Sequence, residues 1–114
     1  MEAFEMALLF DYYGELLTER QRLCFDLRHN HDMSLGEIAQ ELQVSRQGVY
    51  DNLCRAEALL QNMEKKTGCV RRDMQCRKTA HLVMQAAKKL SENHDPAVTE
   101  LALEIIDAVR ALEE

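Results

Sequence analysis

LTERQRLCFDLRHNHDMSLGEIAQELQVSRQGVYDNLCRAEALL, residues 17–60, decides the fold of this chain. Ser34 can cap a helix, and Glu37, three residues later, can cap back onto it. Met33 and Ile38 flank that cap at the spacing of a hydrophobic staple. Ile38, Ala39 and Leu42 then form an inward stripe. Gln43-Val44 reads as a turn, and Ser45 caps a second helix with Val49 and Leu53 facing in. Ala39 is the small residue that two steeply crossing helices need where they meet. The pattern predicts a helix-turn-helix, a pair whose second helix commonly enters a major groove.

Further helices extend to either side. Phe4, Leu8, Leu9, Tyr12, Leu16 and Leu17 predict a first helix over residues 2–17, with Phe10 and Tyr13 widening its apolar side. Thr18 with Gln21 reads as a second capping box, opening a helix to about Arg28. His29 to Asp32 is expected to be a polar, solvated loop. The helix after Ser45 should run to about Lys66, with Gly68 just past its end. A helix over residues 70–90 carries Val70, Met74, His81, Val83, Met84, Ala87 and Leu90. Asp95 and Pro96 open the last helix, striped by Val98, Leu101, Ala102, Ile105, Val109 and Leu112. The expected fold is all-α, a helix-turn-helix domain at 1–66 followed by a C-terminal helical extension at 67–114. That extension packs on the same core or on a second copy. Helix one is apolar on more than one side, so a homodimer joined through it, with Phe10 at the contact, is one expectation.

The stretch 17–60 resembles region 4 of the bacterial sigma-70 factors, in its LTERQR opening and its EIA, VS and RA positions. With LFDYYGELLTERQR before and SLGEIAQELQVSRQGVYDNLCRAEALL after, residues 1–66 look like the YlxM family of small bacterial proteins. The resemblance implies a regulatory role tied to the signal recognition particle pathway, with DNA, RNA or a particle component as partner. It also implies that Arg46, Gln47, Tyr50 and Asp51 occupy positions that face bases or phosphates. Helical spacing adds Ser45 and Arg55 to the outward side of that helix.

The chain has 114 residues, with 14 basic and 20 acidic side chains, net −6. Met1 to Glu64 has 5 basic and 12 acidic residues, Lys65 to Lys89 has 8 and 1, and Leu90 to Glu114 has 1 and 7. The helix-turn-helix therefore sits in an acidic segment, whereas duplex binding usually draws on a basic footprint. Arg71, Arg72, Arg77 and Lys78 could supply that footprint, or could be a solvated helix face. A protein-binding adaptor on the same fold is the alternative to a nucleic-acid binder.

No catalytic, cofactor or metal site is expected. The four glycines are isolated, so no phosphate-cradling loop is present. Cys69, Cys76 and His81 match no zinc spacing. Cys24 and Cys54 read as small core residues. The apolar runs are too short to span a membrane, and MEAFEMALLF lacks the features of a signal peptide, so the cytoplasm is the expected location.

Overall fold

The computed structural model describes residues 3–112. Among them the helices are α1 (Ala3–Tyr13), α2 (Glu19–His29), α3 (Leu35–Leu42), α4 (Arg46–Thr67), α5 (Cys69–Leu90) and α6 (Pro96–Leu112). A single 3-10 turn, Gly14–Leu16, follows α1. No strand occurs among the described residues. The chain separates into two compact units, one up to Val70 and one from Arg71 on.

The first unit is organised around α4, which runs past α1, α2 and α3. Val49, Leu53, Ala56 and Leu60 recur on one side of α4 and are buried. Against them lie Met6 and Leu9 of α1, Cys24 and Phe25 of α2, and Ile38 of α3. Phe25, Ile38, Val49 and Leu60 are fully enclosed. Each such side chain contributes about 1.5–3 kcal/mol of transfer free energy, so this cluster is what holds the helix-turn-helix together.

Caps set the helix ends. Thr18 and Gln21 close the box at the start of α2, and Ser34 and Glu37 close the one at the start of α3. The Ser34 N–H and hydroxyl hold the Glu37 carboxyl below its usual range. At the end of α3, Gln43 takes the left-handed conformation, φ 57°. Its N–H donates to the Gln40 carbonyl, and the Val44 N–H reaches back to that of Ala39. This is a Schellman ending, and it turns the chain sharply enough for Ser45 to start α4. Gly68, φ 64°, ends α4 in the same left-handed region, where a Cβ would be strained.

Several expectations are corrected by the packing. The first helix ends at Tyr13, not Leu17, because the chain tightens into the 3-10 turn. Its buried side is Met6, Leu9 and Tyr13, with Leu17 beyond, whereas Phe4, Tyr12 and Leu16 are exposed. Phe10 is half-buried and stacks on Phe25 at 4.7 Å, so it belongs to the core of its own unit and not to an exposed contact. Cys54 is exposed, while Cys24 is fully buried and its thiol is pushed up by that burial. His29 is not in a solvated loop. It closes α2, stacks on Phe25 at 4.2 Å and meets Glu57 Oε1 at 3.2 Å.

The second unit consists of α5 from Arg71 and of α6, joined by a short turn. Asp95 accepts the Ala97 N–H at 3.0 Å and so caps α6 ahead of Pro96. Buried here are Ala87, Ala102, Ile106 and Val109. The expected α6 stripe is thus divided. Ala102 and Val109 face in, joined by Ile106, while Leu101, Ile105 and Leu112 are exposed. On α5, Met74, His81, Val83 and Leu90 are exposed and Met84 is half-buried.

Candidate nucleic-acid interface

The first two turns of α4 bring Ser45, Arg46, Gln47, Tyr50 and Asp51 to the outside of the first unit, all exposed. Val49 and Leu53 are locked in the core, and at 100° per residue Gln47 and Asp51 fall on the opposite side of the helix. Tyr50 lies on the flank, and Ser45 and Arg46, at the start of the helix, are exposed although they are only a turn from Val49 on its own side. Ser45 is the cap itself, its Oγ accepting the Gly48 N–H at 3.0 Å. Gln47 Nε2 donates to Asp51 Oδ1 at 3.0 Å, one helical turn on. That bond occupies part of the amide and of the carboxylate, and it fixes both side chains on the surface.

Arg46, Gln47 and Tyr50 line a shallow surface groove together with Leu35 of α3. The groove lies where the two helices of the motif meet. Tyr50 is 51% exposed. Hydrogen bonding to the Cys54 thiol pushes its phenol above the ordinary range, and the charge and desolvation around it, with Asp51 and Glu57, act the same way. The ring therefore stays neutral, available to stack or to exchange hydrogen bonds. Arg55 is exposed a turn further along.

Leu35 and Cys54 join this surface and are absent from the set read from the sequence. Leu35 is apolar at the first position of its helix, so periodicity assigns it to packing. Cys54 reads as core because helical spacing places it on an apolar face. The chemistry available is a planar cation, a primary amide, a phenol and a carboxylate within two turns, the groups that meet base edges and phosphates.

Arg71, Arg72, Arg77 and Lys78 are exposed on α5, in the second unit. They do not form one stripe. Arg71 and Lys78 are seven residues apart and share a side, whereas Arg72 and Arg77 project roughly 100–120° away from it. Arg77 also pairs with Asp73 at 3.5 Å. Among the described residues no group of three or more His, Cys, Asp or Glu side chains could hold a metal ion. No helix among them is long and apolar enough to cross a membrane.

Residues 1–100 match the family model described as "UPF0122: Putative helix-turn-helix protein, YlxM / p13 like". A UPF0122 protein of Acetivibrio thermocellus is 47% identical over 89 residues, covering 78% of this chain and 76% of its own. One from Thermoanaerobacter sp. is 40% identical over 108 residues, 94% of this chain and 92% of its own. One from Bacillus mycoides is 39% identical over 108 residues, 95% and 94% of the two chains.

Proposed function

The chain belongs to the YlxM/p13-like helix-turn-helix family, and from that premise we propose that it is a regulatory protein binding nucleic acid through the N-terminal half of α4. The observation that carries this reading is the exposure of Arg46, Gln47 and Tyr50 around one groove at the junction of α3 and α4. The first turn of α4 holds no acidic residue, so the partial positive charge of a helix N-terminus is not offset there. Arg46 suits guanine and Gln47 suits adenine, each by two parallel hydrogen bonds. Tyr50 offers a ring face, and Arg71, Arg72, Arg77 and Lys78 supply phosphate contacts from α5. The family resemblance adds the signal recognition particle pathway as the setting, with its RNA or DNA as the target.

A second reading is favoured by charge. Met1 to Glu64 has 12 acidic against 5 basic residues, and Asp51 lies within the candidate surface. A surface of that sign opposes phosphate and suits a basic protein, so the alternative is an adaptor that contacts a particle component without binding DNA.

Salt separates the two. Binding of the full chain to random duplex DNA and to structured RNA is followed by fluorescence anisotropy as salt rises. A nucleic-acid binder gives affinity falling linearly on logarithmic axes. No salt-dependent binding to either polymer removes the first reading and leaves the adaptor.

A further inference from the structure

Among the described residues of the second unit, two apolar stripes are largely exposed, one on α5 and one on α6. On α5 it is Cys76, Thr79, Val83, Ala86 and Leu90, all exposed. On α6 it is Val98, half-buried, then Leu101, Ile105, Ala108 and Leu112, all exposed. Leu101 is 60% exposed and Leu112 78%. Both stripes step by three and four residues, the a/d spacing of helices that pack lengthwise.

The two stripes lie on the same face of the hairpin. The α5 stripe is rotated on average about 60° from the inward direction set by Ala87, and the α6 stripe about 80° from that set by Ala102, each in the same sense about its own helix. Because the helices run antiparallel, that rotation brings both to one side. A groove between the helices opens on this side, lined by Gln75, Cys76, Thr79, Val83, Val109 and Leu112. Two helices with four buried side chains between them are a thin core, well short of what stabilises a helical unit of this size alone.

We propose that this face is covered by the same face of a second copy, the two hairpins closing into an antiparallel four-helix bundle. Charge selects the second copy and its orientation. α5 carries Arg71, Arg72, Arg77, Lys78, Lys88 and Lys89 against one acid, Asp73. α6 carries Glu100, Glu104 and Asp107 against one base, Arg110. A two-fold axis parallel to the helices sets the α5 of each copy over the α6 of the other, so opposite charges meet. The alternative axis stacks α5 on α5, and like charges meet. In the favoured arrangement the layers pair Val83 with Ile105 and Ala86 with Leu101, small beside large. Lys89, on the outer edge of α5, comes level with Glu100 on the outer edge of the partner's α6. Within one chain those two edges lie on opposite sides of the hairpin, so this pair forms only between copies. The bundle is independent of what α4 binds, and it would carry two helix-turn-helix units in one particle.

Sedimentation equilibrium of the full chain over a dilution series tests it. The wild type is expected at twice 13.2 kDa. Leu101→Glu should sediment at the single-chain mass with its far-ultraviolet circular dichroism still helical. Leu103→Glu, an equally drastic change at a 51% exposed position on the other side of α6, should stay dimeric. If Leu101→Glu loses helicity, Val83→Glu on α5 is read in its place. Lys89→Glu should weaken the dimer and the double change with Glu100→Lys should restore it. A single-chain mass at every concentration overturns the proposal and leaves the face to a different protein. So does a Leu103→Glu variant that dissociates as fully as Leu101→Glu. A double charge reversal that stays weak overturns the α5-on-α6 orientation.

Discussion

The phenol of Tyr13 donates to Glu64 Oε1 at 2.8 Å, joining the end of α1 to the last turns of α4 across 51 positions of sequence. The same oxygen accepts the Val70 N–H at 3.0 Å, and the Tyr13 hydroxyl also lies 2.5 Å from Thr67 Oγ1. Three elements of the first unit are thus tied at one carboxylate. Tyr13→Phe removes the hydroxyl and leaves Glu64 its backbone donor. The expected cost is about 1 kcal/mol, read by urea denaturation.

That junction also has a pH signature. Burial pushes the Tyr13 phenol above its usual range, and neighbouring Glu64 adds to the rise. A folded-state pKa above the unfolded one means stability that is fully present below the unfolded value, near pH 10. It is lost as pH rises through the folded value. Wild type should therefore lose stability above pH 10 more steeply than Tyr13→Phe. Parallel curves for the two proteins would contradict this. Glu37 runs the opposite way. Its carboxyl is held low by Ser34, so its contribution is present above the ordinary carboxylate range and fades as pH falls through the folded value.

Gln43 sits at φ 57°, where an L side chain is strained by about 1–2 kcal/mol and glycine is not. Glycine loses more entropy on folding, by about 0.5–1 kcal/mol. Gln43→Gly should therefore stabilise the chain slightly, by up to about 1 kcal/mol. A higher melting temperature with unchanged circular dichroism checks it. A clear fall would mean that the Gln43 side chain has a role in the turn.

Phe10→Glu should unfold the first unit and not merely separate two copies. Phe10 stacks on the fully enclosed Phe25, and a carboxylate there would be placed against an apolar ring. Val49→Asp, at a position with no exposure, should unfold it outright. Loss of cooperative thermal unfolding in both variants is the expected readout.

Arg46→Ala and Gln47→Ala should each lose about 1–3 kcal/mol on a site selected by the wild type, with folding unaffected because both side chains are exposed. Changing Arg71, Arg72, Arg77 and Lys78 together to Ala should flatten the salt slope by up to about 0.9 per lost duplex contact. An unchanged slope would leave those four as solvated surface.

The motif was legible in the sequence because its signals are local. A cap, a residue three positions on that caps back, and apolar spacing along one helix all act within a few residues. Ser34, Glu37, Ser45, Val49 and Gly68 carry them, and each stands where those rules put it. The exposure of Gln47 and Asp51 on α4 follows from the same periodicity, whereas that of Ser45 and Arg46, on the side of Val49, does not. What tertiary structure alone decided is which apolar side chains stay covered. Helix one offers apolar residues around most of its circumference. Only packing against α4 selects Met6, Leu9 and Tyr13 over Phe4, Tyr12 and Leu16. Cys54 and His29 changed places with expectation for the same reason, since burial depends on what lies opposite and not on residue type. On α6 one apolar stripe serves two faces, inward through Ala102 and Val109 and outward through Leu101, Ile105 and Leu112. Spacing cannot divide them, because positions three and four apart are near neighbours on a helix. Only the direction of the neighbouring helix does.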